Sequence, residues 1–173
     1  MTKEALEPAL ETLNNLPSSQ FVSEMASICT SKHWQQGLAE LRPFHSKQHL
    51  LEMTKQAFAP LNESDWLEAF AGHPMIGDLA SLQKKYSQGK HLSQAEQSQV
   101  SEAQAQTLQD LLALNQQYLS RYGFIFIVCA SGKSAEQMLV MLRQRLGQSR
   151  EQELTIAAQQ QQLISLLRME NLF

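Results

Sequence analysis

The chain has little of what breaks helices, crosslinks a fold or grips a polyanion. Only seven glycines and five prolines punctuate 173 residues, which leaves long stretches free to carry helical periodicity. There are two cysteines, Cys29 and Cys129. They form no C-x-x-C pair, and spacing alone assigns no disulfide, so two buried free thiols in a reducing compartment are expected. Lys and Arg together number 14 against 17 Asp and Glu, a net charge of -3. With no dense basic run, the chain is a poor partner for nucleic acid or an anionic membrane surface. The longest apolar run, FIFIVCA at 124–130, is far too short to span a bilayer. The N-terminal stretch MTKEALEPALETLNNL carries acidic residues throughout and lacks the apolar core of a secretory signal. The expected location is the cytoplasm, and the expected partner a small molecule or another protein.

What is present is helical patterning. Hydrophobic residues make up 43% of the chain, enough to close one core over 1–173 without disulfide or metal staples. Leu6, Leu10 and Leu13 predict a short first helix interrupted or started near Pro8. Pro17-Ser18-Ser19 predicts a helix start with a serine cap, followed by Phe21, Met25 and Ile28 at helical steps. Helical character continues over 34–41 and stops at Pro43. Ser46 should cap a run carrying Leu50, Met53, Ala57 and Phe58, stopped by Pro60. Ser64 should open a short helix with Trp66, Leu67 and Phe70, ended near Gly72. Residues 73–78 read as a loop, and the polar stretch 79–91 as a helical turn and a surface loop. A long helix is predicted from Ser93 to Tyr122, ended by Gly123. The β-branched and aromatic run at 124–130 resembles a buried strand, but no second strand signal exists. It is read as a buried extended connection or the start of a helix. Ser134 should cap the next helix and Ser149 the last, with the Gln159–Gln162 run as a polar face. The fold class is all-α: one compact domain of about eight helices.

Three places could carry chemistry. His73 stands in a loop before Pro74, which restricts its backbone and pins the ring's direction. An imidazole titrates near neutrality and can give or take a proton during turnover; taken singly, though, a histidine there is more often a helix cap or surface residue. Ser93-Gln94-Ala95-Glu96-Gln97 has the pattern of a capping box. The same helix start presents free N–H groups and a positive dipole end, which suit a carbonyl or carboxylate. Arg168 lies among Leu166, Leu167 and Met169, either extending to solvent or aimed at an anion. His45 and His49 have a metal-chelating spacing, but no third ligand stands nearby. The serines lack a nucleophile-elbow context, and Gly132-Lys133-Ser134 lacks the earlier glycine of a phosphate loop.

Taken together, these segments resemble one family. Trp66-x-x-x-Phe70-x-x-His73-Pro74-x-Ile76-Gly77-Asp78 resembles an "HPRIG" segment. Ser93-x-x-Glu96-Gln97 resembles an S-x-x-E-Q helix start. Leu114-Asn115-x-x-Tyr118 followed by Tyr122-Gly123-Phe124-Ile125-Phe126-Ile127 resembles "LN..Y...FG.PFI", and Leu167-Arg168-Met169-Glu170 resembles a terminal "LRLE". The family is the 2-oxo-4-hydroxy-4-carboxy-5-ureidoimidazoline (OHCU) decarboxylases of urate breakdown, and order and spacing agree from Phe44 to the C-terminus. Met75 departs from it, standing where many members have arginine.

The resemblance implies an all-α homodimer that converts OHCU to (S)-allantoin and carbon dioxide without cofactor or metal. The substrate's own imine can take the electron pair that decarboxylation leaves, a task for which other enzymes recruit pyridoxal phosphate or thiamine. His73 would be the proton donor. Glu96 and Gln97 would hold the ureido and ring groups, with Ser93, Gln94 and Ala95 at the helix start beside them. Pro74 would shape the wall, the backbone of Phe126, Ile127, Val128, Cys129 and Ala130 would line the pocket, and Arg168 would face a substrate oxygen. Two rivals are a helical binding module without chemistry and a metal-dependent hydrolase using His45, His49 and His73.

Overall fold

The computed structural model describes residues 7–74, 80 and 94–173, with side chains in 94–103 outside the description. Eight helices occur among the described residues, and no strand. They are α1 (Pro8–Asn15), α2 (Ser18–Met25), α3 (Lys32–Glu40), α4 (Lys47–Gln56), α5 (Glu63–Ala71), α6 (Gln94–Tyr122), α7 (Ala135–Arg145) and α8 (Arg150–Glu170). The all-α expectation is borne out. Residues 75–79 and 81–93, including Ser93 and all of the expected turn and loop at 79–91 but residue 80, lie outside the described residues.

The chain divides into two compact units, one of 1–73 with 158–173 and one of 74–157. In the first, apolar faces of α1 to α5 meet the end of α8. Phe21, Trp34, Phe44, Leu50, Phe58 and Met169 are among its fully or nearly fully buried side chains. Trp34, Phe58, Trp66 and Phe70 stack in series at ring separations of 5.3, 5.4 and 6.3 Å, and the Trp34 indole N–H donates to the Thr54 carbonyl. Such rings bury large areas while the polar handle stays satisfied.

Helix ends follow local chemistry, with two corrections. Ser31, Ser46 and Ser134 cap α3, α4 and α7, accepting from the amides of Trp34, His49 and Gln137. The helix expected to open at Ser64 opens earlier. Asn62 accepts from the Asp65 amide, and the Asp65 carboxylate accepts from the Asn62 amide, a reciprocal box that satisfies two otherwise orphaned donors. α2 takes no serine side-chain cap; Pro17 holds the cap position and Ser18 is already helical.

Gly72 ends α5 with an ordinary negative φ. Its lack of a side chain matters for space: a Cβ there would stand 2.2 Å from Thr30 Oγ1. The Thr30 hydroxyl donates to the carbonyls of Glu68 and Ala69. The α2–α3 connection therefore lies directly against the end of α5, which brings Cys29 and Thr30 beside His73.

In the second unit α6 packs on α7, and Gly123 ends α6 at a φ of +79°, where glycine carries no steric penalty. The 124–130 run is neither helix nor strand, as the extended-connection reading expects. Tyr118, Tyr122, Phe124 and Phe126 cluster around it.

The Gln159–Gln162 run departs from expectation. Gln161 is fully buried, and the buried stripe of α8 is Glu153, Ala157, Gln161, Ser165 and Met169 at four-residue steps. Leu163 and Leu167 are exposed instead, at 49% and 41%. A mostly polar stripe faces inward because each buried polar side chain in it has a partner in the fold.

Candidate active site

His73 follows the end of α5, its amide donating to the Phe70 carbonyl. It lines a cavity of about 360 Å³ in the first unit, together with Cys29, Thr30, Gly72, Gln161 and Arg168. That volume suits a small polar ligand. Nε2 of His73 lies 2.5 Å from Gln161 Oε1. Gln161 Nε2 donates to Ser165 Oγ at 3.1 Å, and the Ser165 hydroxyl donates to the Ile28 carbonyl at 3.4 Å.

Burial lowers the His73 pKa below its ordinary value; the Gln161 bond opposes the shift and the Arg168 charge adds to it. Arg168 is exposed at its helix position, and its Nη1 donates to the Ile28 carbonyl at 3.1 Å. It sits on the cavity wall rather than simply extending into solvent. Burial also pushes the Cys29 thiol up to about 11, which keeps it neutral and unreactive.

The cavity thus joins two of the residues singled out from sequence, His73 and Arg168. It adds Gln161, whose only sequence signal was membership of a glutamine run. Pro74 is exposed. The long helix predicted from Ser93 is described from Gln94 onward, so Gln94, Ala95, Glu96 and Gln97 form the first turn of α6; their side chains, and Ser93, lie outside the description.

Phe126, Ile127, Val128, Cys129 and Ala130 belong to the second unit, where several carbonyls already have partners. Arg145 Nη1 donates to the Ile127 carbonyl at 2.8 Å, and Lys133 Nζ to that of Cys129 at 2.9 Å. The Ala130 carbonyl accepts from the Lys133 amide. Arg145 is itself held by the fully buried Glu153 at 2.5 Å, which also accepts from the Tyr118 hydroxyl. The guanidinium lies 4.9 Å from the Phe126 ring centre. The segment is thereby pinned from behind by a buried charge pair and a cation–π contact.

His45 and His49 stack at 5.1 Å, and His49 Nδ1 accepts from the His45 amide. This nitrogen is occupied by backbone. Among the described residues, no group of three His, Cys, Asp or Glu side chains is placed to hold a metal ion. Among them, too, no helix is long and apolar enough to cross a membrane.

The family model for OHCU decarboxylase matches residues 14–170. This chain belongs to the OHCU decarboxylase family. Among its relatives is the Arabidopsis thaliana uric acid degradation bifunctional protein TTL, 33% identical over 150 residues, covering 87% of this chain and 46% of that protein. A Bacillus uric acid degradation bifunctional protein is 23% identical over 171 residues, and the chain spans 32% of it. The chain thus spans less than half the length of these two bifunctional relatives. The Haloferax volcanii 2-oxo-4-hydroxy-4-carboxy-5-ureidoimidazoline decarboxylase is 26% identical over 96% of this chain and 97% of its own length. A crystal structure of OHCU decarboxylase in the presence of (S)-allantoin superimposes with a TM-score of 0.68 at 32% identity, covering 87% of this chain and 96% of that one.

Proposed function

We propose that this member of the OHCU decarboxylase family is a carboxy-lyase that converts OHCU to (S)-allantoin and carbon dioxide. The observation that carries the reading is the cavity in which His73 and Arg168 meet, within a chain that matches the family over nearly its whole length. Support also comes from a relative of similar length named for this reaction and from the fold shared with an OHCU decarboxylase crystallised with (S)-allantoin.

The proposed chemistry needs no resident electron sink. The bond from ring carbon to carboxylate breaks, carbon dioxide leaves, and the bonding pair moves into the adjacent imine. A proton then adds to carbon on one face. The protein's work is to orient the ring, balance the charge and deliver that proton. His73 is the proposed donor, and Arg168 the cation that faces a substrate oxygen. Glu96 and Gln97 are proposed to hold the ureido and ring groups, with Ser93, Gln94 and Ala95 offering the helix start. Pro74 and the backbone of Phe126, Ile127, Val128, Cys129 and Ala130 complete the proposed binding residues.

Three further readings belong to the same proposal. Residues 1–173 work as one functional domain, supported by a family match running from 14 to 170 across both units. The chain pairs as a homodimer, supported by the exposed Leu163 and Leu167 on α8. It resides in the cytoplasm, in keeping with its two free cysteines.

The test is a coupled assay in which urate oxidase and hydroxyisourate hydrolase generate OHCU and circular dichroism follows allantoin. Spontaneous decay gives racemic product, so optical activity marks the enzyme. His73→Ala is expected to abolish (S)-allantoin formation while the protein stays folded. Full activity in folded His73→Ala would remove the donor role, and a wild-type protein without effect on OHCU would leave a helical binding module.

A further inference from the structure

Gln161 is fully buried on α8, 88 residues from the imidazole it touches. A buried primary amide needs partners for both its oxygen and its nitrogen. Which end faces which partner is decided by the network rather than by shape. Here the network has a fixed terminus: the Ile28 carbonyl can only accept. It accepts from Arg168 Nη1 at 3.1 Å and from the Ser165 hydroxyl at 3.4 Å. Ser165 has one hydrogen, and its acceptors away from the amide are the Ile28 carbonyl and the Cys29 sulfur. With the hydrogen given to either, Ser165 Oγ accepts from Gln161, so Nε2 of the amide faces Ser165. The carboxamide oxygen then faces His73 Nε2 at 2.5 Å. That oxygen cannot donate, so His73 Nε2 carries the hydrogen. Among the described residues, no hydrogen-bond partner stands at Nδ1.

We propose that Gln161, oriented by Ser165 and the Ile28 carbonyl, is a positioning residue that holds His73 as its Nε2–H tautomer and leaves Nδ1 as the nitrogen that handles the substrate proton. The catalytic meaning rests on the proposed donor role of His73; the tautomer does not. With Nε2–H committed to Gln161, the proton given to substrate leaves from Nδ1, and the ring must first be charged there. The device is the neutral-amide counterpart of the carboxylate or carbonyl that orients a working histidine elsewhere. Among the described residues, the charged and titratable groups around it are few. Arg168 faces the ring from α8. The neutral Cys29 thiol lines the same cavity from the α2–α3 connection. Glu68 on α5 is engaged by the Lys32 amide at 2.5 Å.

The experiment is ¹⁵N NMR of the histidine-labelled full chain, paired with pH–rate profiles and the enantiomeric excess of allantoin. Above its titration, wild-type His73 should show a protonated Nε2 and an unprotonated Nδ1. Gln161→Leu removes the acceptor at similar size. It should give a mixture of tautomers, lower the enantiomeric excess and cut kcat about ten- to a hundredfold, as for outer partners of ligating histidines. Gln161→Glu keeps an acceptor and adds charge. It should retain the Nε2–H tautomer and move the His73 titration, with its limb of the pH profile, to higher pH. If Gln161→Leu does not fold, the wild-type and Gln161→Glu spectra decide the matter. A wild-type ring protonated at Nδ1 would overturn the proposal, as would a folded Gln161→Leu with unchanged tautomer ratio and pH profile. A wild-type protein with the Nε2–H tautomer but no effect on OHCU removes the proposed function and leaves the tautomer assignment standing.

Discussion

At the scale of the residue, His73 shows how neighbours turn a common side chain into a tuned one. Burial and the Arg168 charge both favour the neutral ring, and the Gln161 bond offsets only part of this. The folded-state pKa therefore lies below the ordinary 6.5. Between the two values the unfolded chain binds more protons, so stability rises with pH there. The stabilisation linked to neutral His73 is present above pH 6.5 and lost as pH falls through the folded-state value. Urea unfolding of wild type and His73→Asn at pH 7.5 and pH 5 should show the wild-type advantage shrinking at the lower pH. A constant difference would mean that the ring titrates alike in both states.

At the scale of the element, α8 and the 124–130 connection are held by polar contacts that no periodicity announces. Arg145 pairs with a carboxylate that is fully buried, and the second oxygen of Glu153 has no hydrogen-bond partner among the described residues. Removing one member of such a pair leaves an uncompensated buried charge. Arg145→Met should cost about 3–5 kcal/mol of stability in urea denaturation. Replacing both partners, as Arg145→Met with Glu153→Leu, should recover most of that loss. The pair also fixes the Ile127 carbonyl, so the double variant should still bind substrate less well, read as a raised KM. An additive double variant would show that the two charges are not coupled.

At the scale of the whole molecule, the exposed leucines of α8 bear on assembly. Leu163 and Leu167 stand one turn apart and are largely exposed in the single chain. Large apolar side chains grouped on one face mark contact surfaces more often than isolated ones do. If the proposed homodimer uses this face, light scattering should give twice the chain mass. Leu163→Lys with Leu167→Lys should then shift the mass toward one chain without loss of helical circular dichroism. A dimer unaffected by both substitutions would place the interface elsewhere.

The sequence by itself determined the helices, most of their caps, the loop histidine and the family. These depend on neighbours within a few positions or on motifs kept in order along the chain. Ser46, Ser134 and Gly123 act where they were read because capping and positive φ are local matters. Asn62 displaced Ser64 because its reciprocal bond with Asp65 satisfies two donors at once. Tertiary structure alone decided which face of α8 turns inward. Periodicity sends polar residues outward, yet Glu153, Gln161 and Ser165 are buried because their partners come from other parts of the chain. The same long-range contacts sharpen His73 from a histidine before a proline into a ring whose hydrogen is directed by a glutamine far along the sequence.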